Sequence, residues 1–183
     1  ALYMLDNNVA LDDMEKIKDL LDKVNIDLIQ ENDKEIVFLN GKDVTSEIRS
    51  NRVTKFVSPV SSIIEVRIKM VELQRNIAKT NNVIMDGRDI ATVILPNADV
   101  KIYLDADVEE RARRRYKENV EKGIETTFEE VLEDMKKRDY NDMHKPMGAL
   151  KVAEDAVVID TTKLSIEEVK EKVEEVIKNK IES

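Results

Sequence analysis

Asp86-Gly87-Arg88-Asp89 follows directly on the apolar run Val83-Ile84-Met85. One carboxylate there could hold a metal ion or its waters, the arginine could grip a phosphate through two parallel hydrogen bonds, and the second carboxylate could fix a sugar or base. The same four residues also suit a surface turn closed by an ion pair, since charged clusters are common on protein surfaces. A second cluster gathers Arg111, Arg113, Arg114 and Arg115. Helical spacing puts Arg111, Arg114 and Arg115 roughly on one side and Arg113 elsewhere. Such a row fits a small polyanion, and with Glu109 and Glu110 beside it, it equally fits a solvated helix. Arg138-Asp139-Tyr140-Asn141-Asp142 is a third charged group, at an expected helix end. His144 is the sole histidine and has no evident partner in the sequence, so no acid-base role is assigned to it. Without cysteine, the chain has no disulfide, no thiol nucleophile and no His/Cys metal site.

These groups need elements to hold them. Val83-Ile84-Met85 reads as a buried strand that stops at Asp86, and in open α/β sheets ligands bind beyond the carboxyl ends of the strands. Val100 to Ala106 and Ala156 to Asp160 read as two more buried strands, each ending in an acid. Asp107 is expected to cap a helix that stops at Gly123, and Thr126 or Thr127 a second that runs to Arg138, with irregular chain from Tyr140 to Met147. Ser165 and Glu168 stand in capping-box register before the last helix. Strands alternating with helices imply a parallel sheet with helical cover.

The first part has a different rhythm. Ala1 to Asn8 reads as the end of an apolar helix, and Asp12 or Asp13 caps the next, with Met14, Ile17, Leu20 and Leu21 at helical spacing. Residues 24–29, 35–39 and 42–44 are expected as three short antiparallel strands, separated by Asn32-Asp33 and by the hairpin signal Asn40-Gly41. Thr45 or Ser46 caps a short segment through Ile48. Another short helix covers Arg52 to Val57 and is expected to break at Ser58-Pro59. From Val60 to about Lys79 a long helix follows. Ile63, Ile64, Val66, Met70, Leu73 and Ile77 form its buried face, with Ser58 at its mouth and Arg67 two turns inside.

The chain of 183 residues suits one compact core with a small insert. Its net charge of −9 argues against a broad nucleic-acid face. No apolar run approaches the roughly 20 residues that cross a bilayer, and no signal-peptide pattern opens it. A cytoplasmic location is expected.

Taken together, these pieces resemble the bacterial cytidylate kinases, the CMP-specific branch of the P-loop nucleoside monophosphate kinases. The matching stretches are residues 41–49, Ser58 to Arg67, Asp86 to Val93, Val100 to Ala106, Glu110 to Arg114 and Ile159-Asp160-Thr161-Thr162, in family order along nearly the whole chain. The resemblance implies a parallel sheet with helices on both faces. It also implies a core domain of residues 1–23 and 45–183, a lid at about 111–147, and a monophosphate-binding insert at 24–44. It implies transfer of phosphate from ATP to CMP and dCMP with Mg²⁺, by a cytoplasmic monomer without nucleic-acid or membrane partners. Ser58 and Arg67 would read the cytosine, and Arg138 and Asp142 would hold the pentose. Arg88 would bind the CMP phosphate, Asp89 would face the nucleoside, and Asp86 would organise Mg²⁺ through water. Arg111, Arg114 and Arg115 would belong to the lid over the ATP phosphates. Phosphoryl transfer is chiefly positioning and charge neutralisation, so converging arginines and a magnesium ion suit it.

Two departures stand out. Lys145 occupies the position of a second base-reading arginine and offers a point charge without the planar fork. No glycine-rich sequence ending in Lys-Ser/Thr is present among the four scattered glycines, so the first two core strands of the family and their phosphate loop are expected to lie outside this sequence. A preceding segment outside this sequence, a truncation, or a second chain that supplies the missing part would each account for this. The alternatives to CMP phosphorylation are a non-catalytic nucleotide-binding module and a relative acting on UMP or AMP.

Overall fold

A computed structural model describes residues 1–32 and 34–182. The chain divides into two compact units, residues 1–83 and 84–183.

In the first unit, α1 (Leu2–Asp6) ends at Asn7, and the chain reverses at Asn8 with φ of 52°. The Asp13 side chain accepts from the Lys16 amide and starts α2 (Met14–Lys23). Three antiparallel strands follow, β1 (Ile26–Glu31), β2 (Lys34–Leu39) and β3 (Lys42–Asp43), in register from Ile26 opposite Leu39 to Glu31 opposite Lys34. Asn40 and Gly41 turn the second hairpin with φ of 49° and 79°, the two positive values a tight primed turn requires. Of the Asn32-Asp33 turn, Asp33 lies outside the described residues. A 3-10 turn (Glu47–Arg49), α3 (Asn51–Ser61) and α4 (Ile64–Thr80) complete the unit. Met4, Val9, Ile17, Leu20, Val60 and Val66 form one buried cluster, and Leu2, Val44 and Val53 a second.

The helix boundaries here correct the sequence reading. Pro59 does not break the helix at Ser58. It sits in the last turn of α3, where its missing N–H leaves the Lys55 carbonyl without its helical donor, and the Ser58 carbonyl separately accepts from the Ser61 and Ser62 hydroxyls. The break comes later, at Ser62-Ile63, so the expected helix from Val60 to Lys79 is two helices. Ser58 therefore lies within α3 and not at the mouth of α4, and Arg67 falls in the first turn of α4. Of the expected apolar face, Val66 is buried, Ile63 and Met70 pack against the first cluster, and Ile64 stays 57% exposed.

In the second unit, β4 (Ile102–Asp105) and β5 (Val157–Asp160) pair in parallel, with Ile102 opposite Val157 and Asp105 opposite Asp160. The helices are α5 (Val108–Glu121), α6 (Phe128–His144) and α7 (Ile166–Ile181). Thr127 and Glu130 make a full capping box at the start of α6, and Ser165 and Glu168 make another at α7. The expected strand at 83–85 is not formed, and Ile84 is 97% exposed. A strand exists by exchanging backbone hydrogen bonds with a neighbour. Among the described residues the one parallel ladder joins β4 to β5. The segment Tyr140 to His144, expected as irregular, continues α6, where Tyr140 stacks on His144 at 4.1 Å and its carbonyl meets His144 Nδ1 at 2.7 Å. Among the described residues no helix is long and apolar enough to cross a membrane.

Candidate functional site

Arg88, Arg111 and Lys145 of the second unit converge on the last two turns of α6. Asp142 is buried, 5% exposed, and its carboxylate gathers three cations. Arg88 Nε donates to Oδ2 at 2.9 Å, Lys145 Nζ donates to Oδ1 at 2.6 Å, and Arg138 Nε stands 3.8 Å from Oδ2. Burial opposes the charge on Asp142, but the hydrogen bonds from Lys145 and Arg88 outweigh it and hold the carboxyl below its ordinary range. The Leu150 amide also donates to the Asp142 carbonyl at 2.8 Å, which ties the loop after α6 back to the same residue.

One turn earlier, Asp139 accepts both terminal nitrogens of Arg111, at 3.2 and 2.7 Å, while Arg111 Nε donates to the Ala106 carbonyl at 3.0 Å. The bonds to Asp139 raise the Arg111 pKa above its ordinary value. Arg114 reaches the carboxyl end of β5. Its Nη2 donates to the Thr161 and Thr162 carbonyls at 2.7 and 3.3 Å. Thr161 in turn bonds the Asp105 carbonyl at the end of β4 through both its amide and its hydroxyl. Arg111 and Arg114 thus stand at the edge where a parallel sheet presents its ligands.

Arg115 does not join them; it pairs with Glu118 of its own helix at 3.1 Å and is exposed. Arg113 likewise pairs with Glu109 and Glu110. Asp86 is exposed and Asp89 is 7% exposed. Asp89 begins the π-helical turn Ile90–Ile94, its carbonyl accepting from the amides of Val93 and Ile94. Gly87 permits this turn, because a Cβ there would lie 2.9 Å from Ile90 Cγ1. Ser58, exposed, and Arg67, half-buried, belong to the first unit. Sequence reasoning quoted Asp139, Thr161 and Thr162 without giving them a task. The available signal was the spacing of Asp139 and Asp142, which puts both carboxylates on one side of a helix.

Comparison with known proteins decides the family. The family model described as "Cytidylate kinase" matches residues 1–179. The cytidylate kinase of Caldicellulosiruptor bescii is 47% identical over 99% of this chain and 82% of its own length. That of Leuconostoc mesenteroides is 50% identical over 96% of this chain and 78% of its own. That of Streptococcus pneumoniae is 48% identical over 94% and 78%. The chain belongs to the cytidylate kinase family. A cytidylate kinase is a nucleotide-binding transferase with ATP as phosphate donor, and the arginines described here are suited to that chemistry. The α/β architecture, a parallel pair of strands and a small antiparallel sheet, agrees with a nucleoside monophosphate kinase fold.

A cytidylate kinase also implies a magnesium ion. Among the described residues no three His, Cys, Asp or Glu side chains converge to hold a metal. Asp86, an exposed single carboxylate, fits a magnesium ion that keeps most of its waters and takes its other ligands from nucleotide phosphates.

Proposed function

We propose that the protein transfers the γ-phosphoryl group of ATP to CMP and dCMP, with Mg²⁺ held through water by Asp86. The observation that carries the reading is the family match over residues 1–179. The geometry of the second unit supports it. Arg88 meets Asp142 through Nε, which leaves both terminal nitrogens of its fork for the CMP phosphate. Arg111 and Arg114 neutralise the phosphates of ATP, and each is anchored before the substrate arrives, so little reorganisation is needed during transfer. Magnesium supplies charge neutralisation and a template for the phosphates.

In this reading Asp142 and Arg138 hold the pentose, Asp89 faces the nucleoside, and Ser58 and Arg67 select cytosine. Lys145 supports Asp142 as a point charge where the family's arginine would offer a fork. Arg115, tied to Glu118, contributes to the lid only after that exposed pair exchanges. Residues 24–44 act as the monophosphate-binding insert on a core of 1–23 and 45–183, with the lid at about 111–147. The finer fold, a P-loop sheet with helices on both faces, draws its support from family membership. The glycine-rich loop that takes the ATP β- and γ-phosphates in the family has no counterpart within residues 1–183. The enzyme works as a cytoplasmic monomer.

Phosphoryl transfer from MgATP, measured with CMP, dCMP, UMP and AMP in competition, tests the reading. CMP and dCMP are expected to be preferred. Preference for UMP or AMP would move the substrate within the kinases. CMP binding without turnover in the full protein would replace catalysis by a binding role.

A further inference from the structure

We infer that Asp139 is a positioning residue: it fixes the guanidinium of Arg111 for the ATP phosphates, so that α6 sets the arginines of the donor and acceptor nucleotides together. The inference rests on the assignment of Arg111 to the ATP phosphates. Of the four arginines crowded at 111–115, two are held only by glutamates on their own helix. Arg111 differs. Both ends of its fork meet one carboxylate on another helix, at 3.2 and 2.7 Å, and its Nε is taken by the Ala106 carbonyl, so the plane of the group is fixed in three places. Each terminal nitrogen uses one hydrogen on Asp139 and keeps a second, which leaves the group able to bridge that carboxylate and a phosphate.

The neighbourhood gives the contact its reach. Asp139 lies one turn before Asp142, which accepts Arg88 through a single bond from Nε. Two carboxylates three residues apart on α6 thus hold Arg111 and Arg88. The helices α5 and α6 run antiparallel and are also pinned through an edge-on contact between Tyr116 and Phe128, whose ring centres lie 6.5 Å apart. With both helices pinned there, the Asp139 pair fixes an arginine in place and is not needed to join the helices. The Asp139 and Arg111 side chains are 21% and 35% exposed. A partly exposed ion pair contributes modestly to stability, somewhat more when bidentate as here. Its larger effect is to preorganise a long side chain that would otherwise sample many rotamers.

The test is steady-state kinetics of the full protein, varying MgATP and CMP separately, for Asp139→Asn, Asp139→Glu, Arg111→Ala and the double variant Arg111→Ala/Asp139→Asn. Asp139→Asn is expected to lower kcat/KM for MgATP about tenfold and to leave KM for CMP within about twofold. Asp139→Glu, which keeps the charge, should restore most of the loss. The double variant should be no worse than Arg111→Ala alone, because two residues that act through one contact are not additive. Thermal melting should shift by about 4 °C at most. A double variant whose loss is the product of the two single losses overturns the inference, as does an Asp139→Asn enzyme equal to wild type beside an impaired Arg111→Ala. Both results leave the Arg111 assignment standing. Loss of melting temperature and of kcat at unchanged KM for both substrates marks a merely structural tie and also overturns it. An Arg111→Ala enzyme with normal MgATP kinetics removes the assignment of Arg111, and the inference falls with it.

Discussion

Asp142 shows how much one side chain can organise. Its carboxylate is nearly enclosed, yet it stays charged because Lys145 and Arg88 each give it a short hydrogen bond. Those partners are themselves partly exposed, 47% for Arg88 and 40% for Lys145, so they return to water if the carboxylate is lost. Asp142→Asn is expected to lower unfolding free energy by about 2 kcal/mol, the worth of charge-assisted hydrogen bonds, read from urea denaturation. An unchanged midpoint would deny the cluster any structural weight. The pH dependence follows from the depressed pKa. The folded carboxyl titrates below 3.8, so its contribution is complete above that value and disappears as pH falls through the lower folded value. The stability difference between wild type and Asp142→Asn should thus hold steady from about pH 8 to about pH 5 and shrink only below about pH 4. Arg88→Ala acts on chemistry instead. Removal of the fork should cut kcat/KM for CMP at least about tenfold, or 1.4 kcal/mol of transition-state stabilisation. Near-normal turnover would take Arg88 out of the phosphate site.

At the scale of elements, the second hairpin of the small antiparallel sheet depends on backbone conformation more than on contacts. Gly41 has φ of 79°, and the space where a Cβ would go is empty. Gly41→Ala therefore meets no clash and pays only for a left-handed backbone, about 1–2 kcal/mol. A melting temperature equal to wild type would show that the turn relaxes freely. The helices follow a different logic. Capping boxes at Thr127 and Ser165 hold the starts of α6 and α7, whereas α3 runs on through Pro59 and stops two residues later, so the bond lost at Lys55 falls at the end of the helix and not in its middle.

Over the whole molecule, charge sets the partners. A net charge of −9 gives the surface a field that repels nucleic acid, while the arginines at 88, 111 and 114 make a local exception sized for nucleotides. Fluorescence anisotropy with duplex or single-stranded oligonucleotides at about 150 mM salt should show no binding, where a backbone binder would respond strongly to salt. Salt-sensitive oligonucleotide binding would contradict the charge argument. The two compact units divide the residues proposed for substrate, Ser58 and Arg67 in the first and Arg88, Arg111 and Arg114 in the second.

Local rules determined much of this protein from the sequence alone. The hairpin at Asn40-Gly41, the caps at Asp107 and Ser165 and the stop at Gly123 depend on a few adjacent residues and were legible, while the structure chose Asp13 over Asp12 and Thr127 over Thr126. The parallel strands ending at Asp105 and Asp160 were legible too, though not their expected burial, since Leu104 and Val158 are 55% and 54% exposed. Tertiary structure decided what depends on neighbours. Val83-Ile84-Met85 has the composition of a strand but takes no ladder partner among the described residues, and composition cannot supply one. The helix at Tyr140 to His144 persists in a stretch that read as irregular, and there Tyr140 stacks on His144. The partners of the arginines were the least legible feature. Arg115 and Arg111 look alike in sequence, yet one pairs with its own helix and the other with Asp139, 28 residues away along the chain. A fork of fixed geometry can be satisfied by any carboxylate the fold brings within reach, and only the packing of α5 against α6 selects which.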